Sequence, residues 1–375
     1  MKKMLAALLA ALMVLSLAAC GASSAPAATT APAAAATEAP AATEAPAATE
    51  AAAPAKVYKV GICQLVTHDA LDAATKGFQD ALVDALGADA VAFDLQNAAG
   101  DSNTCSSIAN AFVSEGVDLI MANATPALQA AAAATGDIPI LGTSVTEYGV
   151  ALGITDFTGT PGGNVSGTSD LAPLDRQAQM VKEWFPDAKN VGLLYCSAEP
   201  NSKYQVDTVK ALLEEMGYTC KLFAFVDSND MPAVTQEACD FCDVLYVPTD
   251  NMVASSTEVI DGIFGAAGKP IIAGEEGICK GCGVATLSIS YYDLGRATGE
   301  MAAKILTGEA DISTMPIGYA EATPKYNADI CAKLGLTPPE GYEAIGGFPG
   351  FQGVLLTKAA PPRFRILLSY RRNNQ

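Results

Sequence analysis

The sequence predicts an α/β protein of two lobes, each built on a parallel sheet, joined by a hinge. Three observations carry this. From residue 57 onward, short β-branched apolar runs alternate with segments of helical spacing, the pattern of a parallel sheet with helices on both faces. The alternation lapses over residues 155–170, which are rich in Gly, Thr and Pro, and then restarts. The chain from residue 56 onward is long enough for about two domains of ordinary size.

Residues 57–66 read as the first buried strand, and Leu71, Ala74, Phe78, Ala81, Leu82 and Leu86 then repeat at the three-to-four spacing of one helix face. Thr67 is placed to cap that helix with its hydroxyl. In an open parallel sheet, the loops at the carboxyl ends of strands face the crevice where ligands sit, so Gln64, Thr67 and His68 would look into it. AVAFDLQNA, VDLIMANA and IPILGTSV read as further strands, with CSSIANAFVSEG and TPALQAAAAATG as the helices between them. Thr125 suits an N-cap and Pro126 the first helical position, and a helix start there favours an anion; simple capping is the alternative. Thr143, Ser144 and Thr146 place hydroxyls just past the fourth strand. GTPGGN at 159–164 follows no strand-to-helix pattern and reads as a turn, not a phosphate loop.

In the second half, QAQMVKEWFPD and SKYQVDTVKALLEEMG read as helices and NVGLLYC, KLFAFV, DVLYVPT and KPIIAGE as strands, with one helix over residues 252–267. Asp250 and Glu275 fall at the strand ends of this half, where carboxylates would meet an ammonium group. ATLSISYYDLGRATGEMAAKILTG reads as a strand-like crossing followed by a helix with Leu294, Ala297, Met301, Ala302 and Ile305 on one face. Tyr291, Tyr292 and Asp293 lie at the join, as a hinge or cleft wall or as simple packing.

The termini have a different character. Residues 1–20 combine Lys2 and Lys3, an apolar run and small residues ending in LAAC, the pattern of a secretory signal. Residues 21–55 contain only small and polar types in repeated ATEAP units, and they read as an extended, disordered spacer. After about residue 343 the composition shifts: Arg363, Arg365, Arg371 and Arg372 are four of the chain's six arginines, and residues 344–375 read as an extraneous, disordered tail. Two lobes are expected, one from 57–168 plus about 288–312, the other from 169–287 plus about 313–343.

Composition excludes several classes. A net charge of −19 argues against nucleic acid, which needs clustered Lys and Arg. The single histidine, His68, with no G-x-S-x-G elbow, leaves no catalytic triad; an Asp250–Glu275 pair imitating a glycosidase is the only enzymatic reading, and no cofactor is expected. Cys239 and Cys242, where a helix hands over to a strand, and Cys279 and Cys282, in a Gly-rich loop before another strand, form two C-x-x-C pairs, which read as separate thiols or disulfides or, with less weight, as a metal or disulfide cluster.

Several segments in order resemble one family. VGICQLVTHDALDAATKGFQDAL, NATPALQAA, PGGNVSGTSDL, LYVPTDNMVAS and SISYYDLGRATGEMAAKIL are similar to the substrate-binding lipoproteins of bacterial ABC importers, specifically the tryptophan/tyrosine-type group. The resemblance runs from about residue 57 to residue 336. It implies a type I periplasmic-binding-protein fold of two Rossmann-like lobes that close on a small amino-acid-like ligand, aromatic in kind (Trp, Tyr or Phe), without catalysis. It further implies a monomer on the outer face of the cell membrane, acylated on Cys20, that delivers its ligand to permease and ATPase subunits. In this reading Thr125, Thr143, Ser144 and Val145 hold the carboxylate, Asp250 or Glu275 the ammonium, and Gln64, His68 and Tyr291 the side chain. Asn251 and Asp293 complete the candidate set. A lipoprotein that senses its ligand and signals to a membrane partner fits the same clamp, as does a sugar or nucleoside ligand.

Overall fold

The computed structural model describes residues 56–345. The expected signal, Cys20, the spacer and the tail beyond residue 345 lie outside them. Among the described residues no helix is long and apolar enough to cross a membrane.

The first lobe opens with β1 (Tyr58–Gln64), α1 (Asp69–Leu86), β2 (Val91–Asn97), α2 (Ser102–Glu115), β3 (Leu119–Asn123), α3 (Thr125–Ala134), β4 (Ile140–Val145), α4 (Tyr148–Leu152) and β5 (Val165–Ser169). The chain then builds a second sheet through α5 (Leu174–Trp184), β6 (Asn190–Cys196), α6 (Pro200–Glu215), β7 (Thr219–Phe225), α7 (Met231–Phe241), β8 (Val244–Val247), α8 (Asn251–Ala254), α9 (Thr257–Ala267), β9 (Ile271–Ala273), α10 (Glu276–Cys282) and β10 (Ala285–Ser288). It returns through α11 (Tyr291–Leu306) and β11 (Gly318–Tyr319) before closing with β12 (Thr323–Tyr326), α12 (Ala328–Leu334) and β13 (Glu343–Ala344).

The first sheet runs in the order β11-β5-β4-β3-β1-β2 and the second β13-β12-β10-β9-β8-β6-β7. All pairings are parallel except β10 with β12. Three short connections join the sheets: residues 170–173, 289–290 and 320–322. Because β11 pairs with β5, the chain leaves the first sheet after Tyr319 rather than near residue 313. Pairing of β13 with β12 likewise carries the second sheet one residue past 343.

The predicted face of α1 is the buried one: Leu71, Ala74, Phe78, Ala81 and Leu82 enter the core. Burial of each large apolar side chain contributes about 1.5–3 kcal/mol. The return helix differs from its apolar periodicity. Ala297 is exposed, and the buried stripe is Leu294, Gly295, Thr298, Gly299, Ala302 and Ala303. The reason is backbone contact with α1. A Cβ at Gly77 would lie 2.1 Å from the Tyr292 carbonyl oxygen, and one at Gly295 would lie 2.0 Å from that of Ala74. Only glycine permits that approach.

Four further expectations change. β5, inside the stretch read as loop, is VSGTS, too small and polar to register as a strand, yet all five residues are buried. Gly167 within it has φ +143, and a Cβ there would lie 2.0 Å from the Gly142 carbonyl oxygen. The helix expected over 252–267 breaks at Ser255 and Ser256 into α8 and α9. Cys279 and Cys282, placed in a loop by their glycines, lie on α10. Thr67 does not cap α1; His68 occupies that position by its backbone, and the Thr67 hydroxyl accepts from Asn97 Nδ2 at 3.0 Å.

Gly77→Ala is expected to cost about 1–3 kcal/mol in urea denaturation through overpacking. Gly262→Ala, with nothing within 4 Å on α9, is expected to be neutral or to stabilise by up to about 1 kcal/mol. Equal midpoints for the two variants would contradict the close approach of α1 and α11.

Candidate functional site

The carboxyl ends of both sheets face one cleft, and strand order sets where each residue falls along it. Moving away from the connections, the first lobe presents Asp170 after β5, Ser144 on β4, Thr125 after β3, Leu65 and Val66 after β1, and Gly100 after β2. The second lobe presents Glu275 after β9, Asn251 after β8, Glu199 after β6 and Val226 after β7, while Tyr291, reached from β10, already opens the α11 that packs on the first lobe. On the first-lobe side Tyr291 OH donates to Asp170 Oδ2 at 2.9 Å, and across the cleft His68 Nε2 lies 3.2 Å from Asn251 Oδ1. Beside them, Lys280 pairs with Asp69 at 3.2 Å.

Five buried polar atoms of the cleft walls lack any hydrogen-bond partner: Asn123 Oδ1, Thr125 Oγ1, Ser144 Oγ, Asp170 Oδ1 and Asn201 Oδ1. A buried polar group left unpaired costs about 1–3 kcal/mol, so such a concentration in one cleft calls for an external partner. Backbone strain falls at the same strand ends. Ala124, just before Thr125, has φ 93 and ψ 159, a conformation that glycine alone adopts freely, and Ser144 has φ 54. These twists set the Thr125 hydroxyl and the start of α3 at the cleft.

Asp170 has the distinctive electrostatic position. It is 3% exposed, and burial pushes its carboxyl above the usual range. The Tyr291 hydroxyl opposes that shift, and so does the nearby Thr146 side chain, which does not complete a hydrogen bond. Glu275 stands close enough that the Asp170 charge contributes to its own upward shift, to about 7, for which burial is the main cause. The end of the cleft nearest the connections therefore carries negative potential, and the α3 end offers donors.

Several expected site side chains are committed elsewhere. Gln64 donates to Val66 O at 2.9 Å and to Asp72 Oδ1 at 2.6 Å, and accepts from Thr75 Oγ1 at 2.6 Å, so it fastens α1 to β1. Asp250 accepts from Cys196 N at 2.7 Å and Val253 N at 3.0 Å, capping α8. Glu275 accepts from Gly277 N at 2.6 Å and from Ile278 N, capping α10. With both oxygens of each held by backbone N–H groups, neither carboxylate is the free partner expected for an ammonium, and the pair does not form a glycosidase site. Thr143 Oγ1 lies 3.2 Å from Thr168 Oγ1, which in turn lies 2.8 Å from Thr298 Oγ1, a buried chain toward α11. The Val145 side chain belongs to the apolar core. Asp293 is exposed in the first turn of α11. Thr125, Ser144, Asn251, His68 and Tyr291 remain at the cleft.

Asp170, Asn123, Asn201 and Glu199 escaped the sequence reading. The signal for Asp170 was a lone carboxylate closing the small-residue run VSGTSD at a break in the alternation. The cysteine cluster is also corrected. Among the described residues no group of three or more His, Cys, Asp or Glu could hold a metal, and every cysteine is a free thiol. Cys239, Cys242, Cys279 and Cys282 sit in one apolar cluster, and burial raises all four thiols, Cys242 to about 11.

Residues 59–343 match the family model described as ABC transporter substrate binding protein. The chain is 39% identical over 270 residues to a tyrosine-binding protein of Clostridioides difficile, covering 72% of this chain and 78% of that one. An ABC domain in complex with L-Trp from Streptococcus pneumoniae superposes with a TM-score of 0.73 at 33% identity, over 77% of this chain and 100% of the other. A ligand-free, open substrate-binding protein with adhesive properties from Clostridium difficile gives 0.59 at 40% identity, over 77% and 99%. The contacts across the cleft mark the lobe arrangement as closed. The two parallel sheets, the cleft between them and a family match over most of the chain lead to one conclusion: this chain belongs to the ABC transporter substrate-binding protein family.

Proposed function

We propose that the cleft captures a free aromatic α-amino acid for import. Its ammonium lies on Asp170, and its carboxylate lies among Thr125, Ser144 and the start of α3. The observation that carries this reading is the buried Asp170 with one unpaired oxygen, in the same cleft as two unpaired hydroxyls and a helix N-terminus. An ammonium and a carboxylate on one carbon satisfy both ends at once, whereas a sugar or nucleoside brings no cation for Asp170. Tyr291, at the start of the α11 that packs on the first lobe, holds the Asp170 carboxylate in place, so the ammonium partner is set before the lobes close. The relatives named for tyrosine and bound to L-Trp support an aromatic side chain.

In the cell, the chain is a lipoprotein on the outer face of the membrane. Cleavage of residues 1–19 and acylation of Cys20 anchor it, the 21–55 spacer lets the domain reach outward, and the closed form delivers its ligand to permease and ATPase subunits.

Titration calorimetry with the protein amino acids is expected to give binding to at least one of Trp, Tyr and Phe; binding only to a sugar or nucleoside would refute the reading. Asp170→Asn is expected to weaken that binding by about 10–100-fold, with the melting temperature of the unliganded protein unchanged or raised. Affinity should fall on acidification, because the raised Asp170 carboxyl takes up a proton that the ligand ammonium must displace. Calorimetry in two buffers of different ionisation enthalpy should show proton release on binding that grows as the pH is lowered. For the anchor, Cys20→Ser is expected to move the protein from the membrane to the soluble fraction.

A further inference from the structure

The first lobe holds two buried thiols in contact with each other, and ligand capture uses neither. Cys63 lies on β1 and Cys105 near the start of α2, both closed off from solvent. Gly61 and Cys63 are alternate residues of one strand and so share a face. Cys105, Ala109 and Phe112 form the buried stripe of α2, at helical spacing. Helix and strand meet along these two rows. A Cβ at Gly61 would lie 2.7 Å from the Phe112 ring, which fixes one end of the contact. At the other end the Cys63 thiol is hydrogen-bonded to Cys105, and that bond holds the Cys105 thiol below its usual range against the opposing effect of burial.

Other thiols turn to the backbone instead. Cys196, Cys279, Cys282 and Cys331 each face a carbonyl oxygen at 3.4 to 3.9 Å. A thiol against a carbonyl has no covalent bond open to it, whereas a thiol against a thiol can exchange two S–H bonds for one S–S bond. The C-x-x-C spacings drew attention in the sequence, yet the two cysteines that meet lie on different elements, with α1 and β2 between them.

We propose that Cys63 and Cys105 form a disulfide site, closed after export by exchange with a small organic disulfide or a protein disulfide. One cysteine, as thiolate, attacks a sulfur of that disulfide; the S–S bond breaks and one thiolate leaves. The second cysteine loses its proton and attacks the protein sulfur of the mixed disulfide, expelling the other thiolate. Two protein thiols are oxidised, one disulfide is reduced to two thiols, and the two cysteine protons pass through solvent to the leaving groups. Because both sulfurs end up sealed, the exchange belongs to the stage at which α2 docks on β1, and the finished bond is shielded from reductants. The ring so closed contains all of α1 and β2 and lies beneath the cleft loop in which Gly100 N donates to Leu65 O at 2.8 Å. Such a ring removes freedom from the unfolded chain and so stabilises the lobe. The inference is independent of the ligand and rests on the reading of the chain as exported.

The test is peptide mapping of the purified chain after refolding from urea with oxidised glutathione, remaining thiols being blocked with iodoacetamide. Cys63 and Cys105 are expected in one cross-linked peptide pair, lighter by two hydrogen atoms than the two peptides apart. The oxidised chain is expected to melt at least about 3 °C above the same chain in dithiothreitol. Cys63→Ala and Cys105→Ala, whose folds are checked by their melting in dithiothreitol, should each lose that difference. Finding both thiols blocked, or either one linked to another cysteine, would overturn the site, and equal melting with and without the link would overturn the stabilising ring. Chain extracted from cell membranes without reductant should show the same link. Free thiols there would overturn closure in the cell, whereas recovery of the chain from the cytoplasm would remove the export reading and leave the glutathione result standing.

Discussion

The close approach of α1 and α11 is the constraint on which the cleft depends. At Gly77 and Gly295 the two backbones touch with no room for a side chain, and Gly299 continues the seam with its would-be Cβ 2.6 Å from the Phe78 carbonyl oxygen. Dispersion and apolar burial hold the pair, and close packing leaves little freedom to slide or rotate. Tyr291 begins α11, so its hydroxyl is delivered to Asp170 by a helix already locked against the first lobe. His68 and Asp69 stand at the start of α1, on the other member of the same pair, and each reaches a different helix of the second lobe. The interlobe contacts thus hang from one rigid two-helix unit.

That arrangement gives the closed cleft an energetic asymmetry. Bringing the walls together removes water from Thr125, Ser144 and Asp170 without supplying partners, and each such group costs about 1–3 kcal/mol. The contacts that reward closure without ligand are a histidine–amide contact and an exposed ion pair, the last contributing little. A ligand that satisfies the unpaired groups adds its interactions to one state only, which is how binding shifts a two-state population.

Much of this was legible in the sequence, and the losses have physical reasons. Strands and helices with strong periodicity, such as β1 with α1, declare themselves because one buried face must repeat at 2 or 3.6 residues. β5 does not, since it replaces bulk with small residues to let β4 and Tyr148 press against it, and Asp170 was hidden with it. The polar residues at the strand ends were correctly placed but not correctly employed. Whether Gln64, Thr143, Asp250 or Glu275 faces a ligand depends on what neighbours take up its hydrogen bonds first, and those neighbours lie up to 54 positions away. A capping carboxylate and a ligand carboxylate look alike until the backbone N–H groups around them are counted.

The return of α11 and β11 to the first sheet also bears on how the chain reaches its structure. The face of α1 carrying Ala74 and Phe78 is sealed by residues more than two hundred positions later, whereas every strand from β6 to β9 finds its sheet neighbours within one uninterrupted segment. Long-range closure is the slow step in forming such topologies. As the chain emerges from its amino terminus, the lobe begun first must wait for α11 and β11, and the middle segment can acquire most of its sheet while the opening helix still waits for its partner. The glycine seam that locks the first lobe is therefore also a late-forming joint, and a substitution there would be felt as delayed maturation and exposed apolar surface before it was felt as a loss of final stability.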